Sequence, residues 1–312
     1  MIKVVKYENT YKSLWDEFIK NSKNGTFLFH RDYMEYHSDR FTDSSLLFFS
    51  EDDKLIGVLP ANIRDNTLYS HAGLTYGGII SNNKMTTPVM LDLFESLKEY
   101  LKSNEIKKFR YKAVPHIYHN IPANEDLYAL FVNDARLVRR DVASTIDRRE
   151  KIKLSDQRRK AINKAIRNGL EVRESNDLAT FMDIVKNLVT TKYGVNPTHT
   201  YGEMQLLRNK FPENIKLFSA FKDGFMYAGL IMYLCGNVVH AQYGMSTDEG
   251  KKIGALDIIY GSVLYDYCPE KRYFDFGTST EQEGRYLNLG LINQKESFGA
   301  RATVYDTYEV NL

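Results

Sequence analysis

The order of strand-forming runs, turns and helices between residues 46 and 111 returns between residues 216 and 276. The chain must therefore adopt a fold whose unit can be built twice. In the first copy, β-rich runs at 46–49 and 55–63, and a third entering at Tyr69-Ser70-His71-Ala72, are separated by Glu51-Asp52-Asp53 and Arg64-Asp65-Asn66. In the second, runs at 216–221, 225–234 and 238–241 are separated by Lys222-Asp223-Gly224 and Gly236-Asn237. Asp, Asn and Gly accept the left-handed backbone of tight turns, so both sets predict antiparallel hairpins. Landmarks repeat as well: Gly57 with Gly229, His71-Ala72 with His240-Ala241, and Tyr76-Gly77 with Tyr243-Gly244.

Each meander leads to a helix and a further strand. Thr87 caps the first helix, Pro88 suits its first position, and Val89, Met90, Leu93, Phe94, Leu97 and Leu101 share one face. Ile253, Leu256, Ile259, Val263 and Leu264 do the same in the second copy, and strands follow at 108–111 and 273–276. A helical stretch opens each unit, around Leu14 to Ile19 and from Leu178 to Val189, the latter capped by Asp177. Between the units, 155–168 reads as a helix with Ala161, Ile162, Ala165 and Ile166 inward and Gly169 as its stop. The expected organisation is a first unit at 1–150, a basic connector at 151–169 and a second unit at 170–312.

Composition excludes several classes. A hydrophobic content of 43% over 312 residues supports two ordinary cores. A net charge of +2 gives no global field of the nucleic-acid-binding kind, and no run approaches the roughly 20 apolar residues of a membrane span. The start of the chain is charged from Lys3 onward and has no secretory pattern, which predicts a cytoplasmic protein. Cys235 and Cys268 stand alone, so neither a disulfide framework nor a metal site is expected. Charge is concentrated between Arg148 and Arg167, with nine basic and two acidic residues.

Four segments carry a family resemblance. Leu74-Thr75-Tyr76-Gly77-Gly78, the connector Arg158 to Ala165 followed by Gly169-Leu170, Tyr273-Phe274-Asp275-Phe276-Gly277, and Lys295-Glu296-Ser297-Phe298-Gly299 occur in this order. Together with the duplication they resemble the tandem, FemABX-like form of the GNAT acyltransferases, with Gln294 where that pattern has a phenylalanine. The resemblance implies an α/β fold of mixed, mostly antiparallel sheets flanked by helices, in two tandem units. Length and the Gly194 to His199 loop look most like the branch that acylates nucleotide-linked amino sugars from acyl-CoA for surface polysaccharide.

What the resemblance implies for the site is specific. The strand 238–246 would meet the acyl carbonyl, and the following turn would hold the CoA pyrophosphate, through Met245, Ser246, Gly250, Lys251, Lys252, Ile253, Gly254 and Ala255. Glu249 and Lys252 depart from the family's arginine and glycine there. Acyl transfer needs a neutral amine and a polarised carbonyl. Candidates for that work are His199, His240, Asp275, Glu281 and Lys295. His71 occupies the place matching His240 in a unit expected to hold no CoA, which leaves a structural role open for both. Tyr76, Gly77, Gly78, Tyr193 and Tyr243 would wall an acceptor pocket for a dTDP- or UDP-linked amino sugar. No metal and no membrane contact are expected, and the oligomeric state is open. The alternatives are a FemABX-type aminoacyl transferase taking its acyl group from charged tRNA, the one reading with a nucleic-acid partner, and a non-catalytic binding module.

Overall fold

The computed structural model describes residues 2–151 and 153–312, the side chains of Lys192 and Tyr193 excepted. The chain packs as two compact units, Met1–Val142 with Thr280–Tyr286 and Val304–Leu312, and Ala143–Ser279 with Leu287–Thr303. Residues 280–286 and 304–312 therefore leave the second unit to which the sequence assigned them. The physical reason is strand pairing: the last strand, Arg301–Asn311, runs antiparallel to Lys108–Lys112 from Thr307↔Lys112 to Asn311↔Lys108.

In the first unit the run expected at 55–63 divides into Leu55–Leu59 and Asn62–Arg64, which join different sheets. Pro60 lies at the break, where it has no N–H to give a ladder. Leu55–Leu59 pairs with Leu46–Phe49, while Asn62–Arg64 pairs with Thr67–Tyr69. Helix Thr87–Ser103 then crosses over, and Lys108–Lys112 comes in parallel to Thr67–Tyr69. Met90, Leu93, Phe94, Leu97 and Leu101 are each at most 2% exposed on one face of that helix. Burial of side chains this size is worth about 1.5–3 kcal/mol apiece. The N-cap is Thr86 rather than Thr87.

One buried polar pair ties this core together. The Tyr111 hydroxyl donates to Asp126 Oδ2 at 2.5 Å and accepts from the Ile79 N–H at 2.8 Å. Burial pushes the Asp126 carboxyl up to about 6. Because the folded value lies above the unfolded one, the protonated acid favours folding below about pH 4, and that contribution is lost as pH rises through 6. Asp126→Asn is therefore expected to gain stability relative to the parent between pH 5 and 8, by up to about 3 kcal/mol. Denaturation midpoints of both proteins across this range check it, and a difference that does not change with pH contradicts it.

The second unit is a single sheet in the order Glu171–Glu174, Ile215–Lys222, Phe225–Cys235, Val238–Ser246, Tyr273–Thr278 and the 143–147 end of Arg136–Asp147. The first three steps are antiparallel and the fourth is parallel. The crossover between the parallel strands is helical but interrupted: Asp248–Ile253 and Ala255–Tyr265 meet at Gly254, which is left-handed at φ 78°. The connector helix is Asp156–Arg167, capped by Ser155 and stopped at Gly169, φ 73°. It buries Ala165 but leaves Ile166 58% exposed, against expectation. Arg158 turns inward instead, donating to Asp257 at 2.6 Å and stacking on Phe298. Arg148 closes the other end of the Ala255–Tyr265 helix by donating to the carbonyls of Val263, Tyr267 and Cys268.

Candidate active site

Strand geometry in the second unit makes the site. Val238–Ser246 pairs with Tyr273–Thr278 over three residues only, Val238↔Tyr273, Val239↔Phe274 and His240↔Asp275. The strands then part, so the remaining edge of Val238–Ser246 has no ladder partner on that side. On the other side Met232 faces Ala241 and Ile231 faces Tyr243, which leaves Gln242 as a bulge. Cross-strand partners share a face, and Ile231 and Tyr233 are two residues apart. The bulge therefore brings His240 and Tyr243 to the same face, where a spacing of three would have opposed them.

His240 and Asp275 are joined at the last paired position. His240 Nδ1 lies 3.0 Å from Asp275 Oδ2. Asp275 is fully buried, and its Oδ1 accepts from the Gly277 N–H at 2.9 Å and the Thr145 hydroxyl at 3.4 Å. With Asp275 ionised, the imidazole donates from Nδ1 and carries its lone pair on Nε2. Gly277 is left-handed at φ 72°, and a Cβ there would lie 3.3 Å from His240 Cε1, so the glycine keeps the backbone against the ring. Lys295 completes the group. Its ammonium donates to the Gly277 carbonyl at 2.8 Å and the Thr278 carbonyl at 2.6 Å, and burial lowers it to about 8.

His199 and Tyr243 also meet, with Nδ1 2.6 Å from the phenol oxygen and the rings edge to face. His199 is 5% exposed, and burial pushes the Tyr243 phenol up. Two groupings, His240/Asp275/Lys295 and His199/Tyr243, thus hold four of the five residues expected to do the acyl-transfer chemistry, together with Tyr243 of the expected acceptor wall. Glu281 is not among them: it lies on the exposed strand Thr280–Glu281, which belongs to the first unit. Tyr193 ends the helix Leu178–Tyr193, and its side chain lies outside the described residues.

The expected acceptor wall in the first unit is a core. Tyr76 is 1% exposed, packed on Phe29 and Tyr118, with its hydroxyl on Thr26. A Cβ on Gly77 would lie 2.0 Å from the Ser70 carbonyl oxygen, and one on Gly78 2.6 Å from the Tyr111 hydroxyl. The Tyr-Gly-Gly run is thus required by packing. His71 is likewise not the counterpart of His240, because the parallel ladders equate Tyr69 with His240.

The turn expected to cradle a pyrophosphate caps one of its N–H groups with its own threonine. Thr247 Oγ1 accepts from the Gly250 N–H at 3.0 Å, and Asp248 and Glu249 occupy the first helical turn. Lys251 pairs with Asp248 at the surface, 2.6 Å apart. A Cβ on Gly250 would meet the Tyr227 carbonyl at 2.4 Å, and one on Gly254 the Ala161 carbonyl at 2.6 Å. Ser246 bonds the Tyr227 carbonyl and Ala255 is in the core. Met245, Lys252 and Ile253 flank a turn whose acidic start opposes an anion. No group of metal-ligating side chains occurs among the described residues, and no described helix is long and apolar enough to cross a membrane. A groove of about 750 Å³ beside Asp92 and Glu95 in the first unit is lined by none of these residues.

Residues 156–286 match the family described as Acetyltransferase (GNAT) domain. No curated protein sequence matches the chain. Among solved structures, FemX is similar at 12% identity and a TM-score of 0.71, over 99% of this chain and 97% of that one. L-PGS from Bacillus licheniformis is similar at 11% identity and 0.64, over 97% and 92%. A tandem GNAT protein from the clavulanic acid biosynthesis pathway is similar at 9% identity and 0.52, over 100% and 98%. The shared property is the fold: mixed α/β, built as tandem GNAT-like units.

Proposed function

We propose that the protein is an aminoacyl transferase of the FemABX type, which moves an aminoacyl group from charged tRNA to a primary amine at the split between Val238–Ser246 and Tyr273–Thr278. The choice of donor rests on one observation, the self-capped and acidic turn at Thr247 to Glu249, where an acyl-CoA would need its pyrophosphate held. The fold likeness to FemX and to L-PGS supports the same reading.

In this reaction the amine nitrogen bonds the ester carbonyl carbon, and the bond from that carbon to the ribose oxygen breaks. His240 takes the amine proton at Nε2, Asp275 stabilises the imidazolium, and the proton passes to the departing ribose oxygen. Backbone N–H groups on the unpaired edge beyond His240 and the Lys295 ammonium stabilise the oxyanion as it forms. The Lys295 cation is lost as pH rises through about 8. Turnover is therefore expected to fall above that pH, and Lys295→Met to lower the plateau by about 10²-fold while flattening the alkaline limb. A pH–rate profile that keeps its alkaline limb in Lys295→Met removes the lysine from this role.

Calorimetric titration with CoA and acetyl-CoA tests the donor. No binding into the millimolar range is the expected result. Micromolar binding accompanied by thiol release in the presence of an amine overturns the tRNA reading in favour of acyl-CoA.

A further inference from the structure

The first unit repeats the parallel split and surrounds it with cations. Thr67, Leu68 and Tyr69 pair with Lys108, Phe109 and Arg110, the same three-residue ladder that ends at His240 and Asp275 in the second unit. Beyond it the chain turns away at His71, left-handed at φ 57°. A cavity of about 280 Å³ opens there, walled by Tyr69, His71, Arg110, Lys112 and Arg139, with Glu283 the one acidic side chain in its lining. An aromatic ring and a guanidinium thus stand where the second unit has its histidine and aspartate. That exchange suits an anion and removes the acid–base pair.

The cations around the cavity are fixed by groups of the first unit itself. The Lys112 ammonium donates to the Ala72 and Leu74 carbonyls at 3.0 and 2.7 Å, an arrangement that matches Lys295 although it is built from a strand instead of a helix. Arg139 pairs with Asp141, and Arg110 shares Glu309 with Arg136 and Lys108, so three cations rest on one carboxylate. His71 is 3% exposed and its Nδ1 has no hydrogen-bond partner among the described residues. Glu283 reaches the rim from three successive left-handed residues, Gln282, Glu283 and Gly284, with φ 50°, 55° and 85°. Non-glycine residues in that region cost on the order of 1 kcal/mol each, so the turn holds the carboxylate there at a conformational expense.

We propose that this cavity is an oxyanion site that takes a phosphate group on Lys112, Arg139 and Arg110, with the Glu283 carboxylate as the competitor that the phosphate displaces. This site belongs to the first unit, whereas the donor is assigned to the second. Inorganic phosphate and a phosphate monoester share the required chemistry, so the full chain is titrated calorimetrically at low salt with each, using inorganic phosphate and uridine monophosphate. Both are expected to bind with one site per chain. Tighter binding of the nucleotide assigns the site to a phosphate ester, and equal binding assigns it to free phosphate.

Lys112→Gln is expected to weaken binding at least tenfold, whereas Glu283→Gln, on an exposed turn that needs no refolding, should tighten it several-fold. The proposal is overturned by the absence of binding to both the parent and Glu283→Gln, or by affinities that neither substitution changes.

Discussion

Asp275→Asn is expected to lower acyl transfer by about 10²- to 10⁴-fold with little change in thermal midpoint. Asn is the same size and can still accept from the Gly277 N–H and the Thr145 hydroxyl, so the surrounding packing survives. What it loses is the charge that orients His240 and stabilises the imidazolium, since a neutral amide no longer fixes Nδ1 as the donor. The rate should fall across the whole pH range, and His240→Ala should add little to it, because the two residues act as one unit. Single-turnover rates of both single variants and the double variant, set beside their melting curves, make the comparison. Rate and midpoint falling together, with the losses additive, would make the pair a structural contact.

Gly77→Ala is expected to have the largest effect on stability, about 3 kcal/mol or more, or a fall in midpoint of roughly 6 °C or more. The added carbon would lie 2.0 Å from the Ser70 carbonyl oxygen, which is itself part of the main chain and has no flexible end to move aside. The Gly77 N–H is also bonded to the Lys112 carbonyl, so a shift of this segment disturbs the strand beside it. If Gly77 lined a ligand pocket, the substitution would raise the Michaelis constant for the acceptor and leave the melting curve in place. Denaturation and steady-state kinetics on the same variant separate these outcomes.

The elements most legible in the sequence were those with local punctuation. Ser155 and Gly169 bracket the connector helix, Asp177 caps the helix after it, and Asp223-Gly224 turns the longest hairpin. Two long strands, Arg136–Asp147 and Arg301–Asn311, were missed because arginine and threonine interrupt any clean apolar alternation. Their partners are distant in sequence, and the second of them carries the chain's end back to Lys108–Lys112. The β-rich run at 55–63 was read through Pro60, whose missing N–H should have divided it.

At the site, the residue types were legible and their grouping was not. Asp275 and Lys295 lie in motif segments and His240 on the strand expected to meet the acyl carbonyl, but nothing local shows that Lys295 reaches the carbonyls of Gly277 and Thr278. The bulge at Gln242, which sets His240 and Tyr243 on one face, has no signature in the strand's own sequence. The glycines at 77, 78, 250 and 254 look like ligand-approach positions in sequence. In three dimensions each answers to a neighbouring carbonyl or hydroxyl, which only packing reveals.

Transfer of a radiolabelled amino acid from a pool of charged tRNA to a panel of primary amines, run beside the same panel with radiolabelled acetyl-CoA, tests the proposed chemistry most directly. The expected result is amide product from the tRNA arm alone, reduced at least a hundredfold in Asp275→Asn. Product from the acetyl-CoA arm alone would contradict it.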